Sequence, residues 1–405
     1  MNKRVVVTGV GMVTPIGVGK EIFSQNLFGG VSGIREIALF DTSRHPCHYG
    51  AEIIEYSPKD FISSKNIRKM DILSRAAVAS ARIAADDAGI VIDEKNRDRT
   101  GVVLGVALGS VDISVQVATT MFFEGPTLVN PIVIPNVVMN APAGHISIEL
   151  GFRGVNSTIN HKEASAETAI AHAASEIRRG TADVMFAGGA DLIAEKLFET
   201  LIGFSALARK KDGGEERARP FDVHRNGMSI GEGAGVICLE SYEHAERRGA
   251  RAYAEIAGWG MSAAPSPLND WPDDPKGPVL ALERALRSAG IEAKDVQFIS
   301  ASANGGKRLD RLEALALDRV FSTNKPFISS LKGAIGESLS SGGMRAAALL
   351  LSMERGAIPK TLGLLDPIMP LNFVMNENRD VKIENALLNG FSSGGTFISV
   401  VLRKS

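Results

Sequence analysis

Cysteine is nearly absent, with only Cys47 and Cys238 in 405 residues. Two distant thiols cannot make the disulfide framework of a small secreted domain. Cys47 lies in His45-Pro-Cys-His48, which has no second ligand pair at matching spacing. That segment therefore reads as a surface loop, and no metal is expected. Cys238, inside the apolar Val236-Ile-Cys-Leu239, reads as a small core hydrophobe. Excess charge of either sign is also lacking: 45 basic residues face 46 acidic ones, for a net charge of −1. This balance gives no general attraction to nucleic acid or to an anionic membrane. No apolar run is long enough to span a bilayer, and Met1-Asn-Lys-Arg4 leads directly into a strand without a signal peptide. A cytoplasmic protein is expected.

What is present suffices for a large core, since 44% of the residues are hydrophobic. They could build one large domain or two similar ones. Arg4 to Gly17 reads as a buried strand followed by a glycine-rich turn. Its Gly9-Val-Gly11 lacks the third glycine and the following unit of a dinucleotide fingerprint, so a structural turn and no cofactor are expected. Residues 64–90 contain a long amphipathic helix with a glycine stop, and Gly101 to Gly109 is a core strand.

The stretch from Gly154 to Ala190 is central. Small residues at 164, 166, 169, 171, 173 and 174 let neighbouring backbones approach a buried helix that ends at Gly180. Val184-Met-Phe-Ala-Gly-Gly-Ala190 follows as a strand. The first turn of such a helix favours negative charge and would depress a thiol's pKa, because its N–H groups are unpaired. Glu163 stands there and is expected to stay ionised.

Three segments carry a family resemblance. Gly154-Val-Asn156, Ala182-Asp-Val-Met-Phe-Ala-Gly-Gly-Ala190, and Arg219-Pro-Phe-Asp-Val-His-Arg-Asn-Gly-Met-Ser-Ile-Gly-Glu-Gly-Ala-Gly235 resemble motifs of the β-ketoacyl-acyl-carrier-protein synthases. These are the condensing enzymes of the thiolase superfamily, and the similarity runs from Val5 to Leu402. It implies an α/β architecture, a duplicated thiolase-like fold in five layers, αβαβα, with halves at 1–250 and 251–405. It also sets Glu163 where the family has its nucleophilic cysteine. Ser300 to Asp310 matches the motif of the first catalytic histidine and puts Ser302 at that place. Lys332-Gly-Ala-Ile-Gly-Glu337 matches Lys-Ser-x-x-Gly-His, putting Glu337 at the second. Gly390 to Phe397 matches a gating segment in which Ser393 replaces the second aromatic. Lys332, Asp310 and Glu313 persist from the polar surroundings of the family's site, and pairing of Glu163 with Lys332 is left open. Arg225 and Glu232 are expected to pair.

The resemblance further implies that residues 110–145 line an acyl tunnel and cross a dimer interface. Phe122 and Phe123 then either plug that tunnel or serve as core or interface aromatics. Arg68 and Lys69 correspond to a segment that docks acyl carrier protein in the family, though two cations also suit a solvated face.

Condensation needs a thiolate to hold the acyl chain and two donors to stabilise an enolate. Glutamate, serine and glutamate supply neither, and His161 or His172 would be an unusual rescue. The preserved scaffold with an emptied site resembles a chain-length factor, a ketosynthase-like subunit that pairs with an active ketosynthase and shapes its tunnel. Two alternatives stand beside it. One is a divergent synthase or acyltransferase using Glu163, Ser302 or Glu337 as acid or base. The other is a non-enzymatic homodimer that binds acyl carrier protein or acyl chains.

Overall fold

The computed structural model describes residues 3–53, 56–210 and 215–405. The first half contributes strands β1 (Val5–Thr14), β2 (Thr100–Gly105), β3 (Asn156–Ile159), β4 (Val184–Asp191) and β5 (Gly233–Ser241). The second contributes β6 (Ala254–Ala263), β7 (Phe298–Ser300), β8 (Phe327–Ser329), β9 (Asn385–Ser392) and β10 (Thr396–Lys404). Across the sheet they run β3-β2-β4-β5-β1 and then β6-β10-β9-β7-β8. Each half uses one pattern, in which two parallel pairings are followed by two antiparallel ones. The halves meet where Val6 and Val7 of β1 pair with Glu255 and Ala254 of β6. The duplication that the sequence halves barely show is explicit in this strand order.

Helices complete the layers: α1 (Ile72–Ala88), α2 (Ala141–Leu150), α3 (Ser165–Arg178), α4 (Lys276–Ala289), α5 (Lys307–Val320) and α6 (Gly342–Arg355). Helices α3 and α6 lie between the two five-strand sheets, where Ala169, Ile170 and Ala173 share a core with Leu350, Val103 and Val400. Helices α1 and α2 cover the outer face of the first sheet through Ala77, Ala81 and Ile146. Helices α4 and α5 cover the second through Leu282, Ala285 and Leu317. The result is the expected five-layered αβαβα arrangement of the thiolase-like fold. A helix buried between two sheets must be thin, which explains the alanines of α3. No helix among the described residues is long and apolar enough to cross a membrane.

Two local expectations, for Gly9 with Gly11 and for Cys47, are corrected. Gly9 and Gly11 are not in a turn but inside β1, whose ten residues are all buried. A Cβ on Gly11 would lie 2.0 Å from the carbonyl oxygen of Ser80, so glycine there lets α1 rest directly on the strand. The long helix with a glycine stop expected within 64–90 is α1, and a separate four-residue helix, Ser64–Ile67, precedes it. Asp71 starts α1 by accepting from the Ser74 N–H at 3.0 Å, and Gly89, at φ 60°, ends it. Cys47 is buried beside Ile37, Phe198 and Ile230 instead of lying on the surface. Cys238 is a core residue of β5, as expected.

Candidate functional site

Strand β3 ends in a polar turn, and one tight turn at Lys162–Ala164 leads into α3. Glu163 sits in that turn. The β9–β10 turn meets it from the second half: Ser392 Oγ donates to its carboxylate at 3.0 Å, the Ser393 N–H at 3.1 Å and Ser393 Oγ at 3.1 Å. Glu163 also faces a cavity of about 420 Å³ whose walls include Leu197, Leu201, Phe204, Trp271 and Leu339. Ser393 therefore stands on the pocket beside Glu163. Burial pushes the Glu163 carboxyl above its ordinary pKa, and the negative charge of Glu337 adds to the push. The cost of removing a carboxylate from water outweighs the help of the helix start and the serine donors.

Lys332 pairs with Glu337, not with Glu163. Its ammonium donates to Glu337 Oε2 at 2.6 Å, and neither side chain has any exposed surface. The short helix Lys332–Ile335 and Gly336, at φ 68°, turn the chain back so that the two meet. Asn304, on the pocket wall, donates to the same carboxylate oxygen at 2.9 Å, and the Leu339 N–H donates to the other at 3.2 Å. Glu337 is thus satisfied behind Asn304 rather than presented to the cavity.

Ser302 is fully buried, and its hydroxyl accepts from the Phe391 N–H at 3.2 Å. Its own N–H donates to Glu313 at 3.0 Å, and Glu313 also accepts from the Ala303 N–H at 2.7 Å and the Asn389 amide at 2.9 Å. Burial pushes the Glu313 carboxyl up. Asp310 accepts from the Phe221 and Asn304 N–H groups at 2.7 and 3.0 Å. Burial raises it to about 7 despite these bonds. Asp310, Glu313 and Lys332 brace the walls of the site; none of them lines the pocket.

Arg225 does not pair with Glu232. Its guanidinium lies 3.8 Å from Asp310, while Glu232 accepts from the Ile53 N–H at 2.7 Å and the Ile193 N–H at 3.2 Å. The chain turns between 225 and 232, so the two side chains serve different loops. His161 faces Thr168 at 3.3 Å, and burial lowers its pKa. His172 lies 3.7 Å from Glu176. Neither histidine lines the pocket. Phe122 and Phe123 are 86% and 85% exposed in the single chain, which removes them from its core. Arg68 and Lys69 are exposed at the break before α1.

Four participants escaped the sequence reading. Lys162 and Asn304 line the pocket, and Glu167 of α3 forms a fully buried ion pair with Arg345 of α6 at 2.6 Å. Arg345 also donates to the carbonyls of Ser300 and Asn389 at 2.8 and 2.6 Å, tying α6 to β7 and β9. The signal was available: a charged residue in a helix of small residues, with both neighbouring sheets apolar, requires a buried partner.

Chemically, the pocket offers a carboxyl whose pKa is raised by burial, hydroxyl donors and an ammonium. It offers no thiol, since Cys47 and Cys238 are buried elsewhere. The family described as Beta-ketoacyl synthase, N-terminal domain, matches residues 2–245, and its C-terminal domain matches 253–365. The 3-oxoacyl-[acyl-carrier-protein] synthase 2 of Vibrio harveyi is 34% identical, over 100% of this chain and 99% of its own. The solved ishigamide ketosynthase/chain length factor superposes with a TM-score of 0.93 at 30% identity, covering 100% of both chains. A type II polyketide synthase acyl-carrier protein in complex with its ketosynthase gives 0.90 at 25% identity, again over 100% of both. The chain belongs to the beta-ketoacyl synthase family.

Proposed function

We propose that this chain is a chain-length-factor-like subunit, which pairs with an active β-ketoacyl synthase and shapes its acyl tunnel without catalysing condensation. The observation that carries this reading is the buried Lys332–Glu337 pair at 2.6 Å. By its motif Glu337 takes the place of a histidine donor, and here it is an acceptor already consumed by an ammonium. Glu163 at the nucleophile position is held by Ser392 and Ser393, and Ser302 is sealed under Phe391. A carboxyl cannot hold an acyl chain as a stable thioester, and loss of one oxyanion donor alone costs about a hundredfold or more in rate.

The surface supports a partner. Strand β3 is the outermost strand of its sheet, and exposed Phe122, Phe123, Leu128, Ile132 and Ile148 lie in the segments that precede it. An unpaired strand edge near exposed apolar side chains suits a twofold or pseudo-twofold interface. Arg68 and Lys69 would contact an acyl carrier protein.

The test is condensation of malonyl- and acyl-carrier protein by the purified chain, alone and with a Cys-His-His ketosynthase, with molecular size measured in parallel. Activity confined to a heterodimer is expected. Condensation by the isolated chain overturns the reading.

A second reading, acid–base chemistry at Glu163, is favoured by one observation: burial raises the pKa of that carboxyl while it faces the cavity. It requires an activity that Glu163→Ala abolishes.

A further inference from the structure

Lys162 has no role in either reading, and its geometry calls for one. It adopts φ 47°, in the left-handed region that favours glycine, directly before Glu163. Its side chain reaches across the pocket wall. The ammonium donates to the Leu268 carbonyl, to Asn269 Oδ1 at 2.9 Å and to Ser393 Oγ at 3.4 Å. One cation thereby ties three segments that are remote in sequence: the turn before α3, the loop after β6, and the β9–β10 turn. Lys162, Asn269 and Ser393 line the same cavity.

The loop is pinned from its far side as well. Arg308, in the first turn of α5, donates to Asp270, to the Trp271 carbonyl at 2.7 Å and to Asp273 at 3.0 Å. The Gly394 N–H donates to the Asp270 carbonyl at 3.0 Å. Among these contacts, Lys162 is the one that reaches the loop from the α3 side.

We propose that Lys162 is a latch that fixes the loop after β6 and the β9–β10 turn over position 163, shielding that position from any thioester. A charge-assisted tie of this kind is stronger than a neutral hydrogen bond, and losing it shifts a local opening equilibrium by about tenfold or more. The latch is independent of the missing nucleophile and of any partner.

A thiol placed at position 163 reports on it. In the full-length chain, Glu163→Cys is compared with Lys162→Ala/Glu163→Cys and Lys162→Met/Glu163→Cys for alkylation by iodoacetamide. Intact mass and peptide mapping locate the label, and buried Cys47 and Cys238 serve as unreactive references. Rates are taken on the alkaline plateau, where differences in thiol pKa drop out. Met keeps the length of Lys but cannot donate, so it separates the tie from mere bulk and carries the test if the Ala variant fails to fold. Both double variants are expected to react about tenfold or more faster at the introduced thiol than the single variant. Equal rates in a folded double variant overturn the proposal.

Discussion

Lys332 and Glu337 form an ion pair at 2.6 Å with no solvent on either side chain. Removing one partner leaves a buried charge without compensation, which costs about 3–5 kcal/mol. Lys332→Met is therefore expected to lower stability by about that amount, read from the urea midpoint with an unchanged slope. Replacing both, as Lys332→Met with Glu337→Leu, should cost much less, because no lone charge remains. A single variant that loses no more than about 1 kcal/mol, like an exposed pair, would show that water reaches this site.

Glu163 makes stability depend on pH. Its folded-state pKa lies above its ordinary value because the side chain is desolvated. As pH rises through about 4.3, the unfolded chain gives up this proton while the folded chain keeps it, so stability falls until the folded carboxyl also ionises. Glu163→Gln removes that loss. The variant is expected to melt higher than the parent at neutral pH, with the gap closing below about pH 4. A gap that instead widens on acidification means that Glu163 is held ionised.

Gly11 supports α1 through the absence of a side chain. A Cβ there would sit 2.0 Å from Ser80 O and 2.5 Å from Ala84 N, both backbone atoms of a packed helix. Gly11→Ala should cost about 1–3 kcal/mol or more, since either the helix or the strand must move. Near-native stability of this variant would mean that α1 shifts freely on the sheet.

The contrast between Gly11 and Glu163 shows what the sequence could disclose. The location of Glu163 was legible because small residues and a glycine stop mark α3, and because matching motifs flank it on both sides. Its raised pKa was not, since burial depends on how the second half closes over it, and even the donors that oppose the shift, Ser392 and Ser393, arrive from 229 and 230 residues away. Gly9 and Gly11 looked like a turn because local propensity carries no information about a helix that will lie against them. Glu167 and Arg345 were overlooked for a related reason: they are 178 residues apart, and only the packing of α3 on α6 brings them together. Lys332 and Glu337 are close in sequence, yet their pairing depends on the turn at Gly336.

Phe122 and Phe123, exposed by 86% and 85%, give the assembly its sharpest test. Burying a phenylalanine side chain is worth about 1.5–3 kcal/mol, so two such exposed rings can contribute substantially to an interface and nothing to the core of the single chain. Replacing both by Ser should leave the thermal midpoint of the isolated chain nearly unchanged, provided it is measured under dilute conditions where it does not self-associate. The same double variant should weaken association with a Cys-His-His ketosynthase by about a hundredfold or more, as measured by sedimentation at graded concentration. If association is unaffected, these rings lie outside the interface, and the partner must sit elsewhere than on the surface around β3.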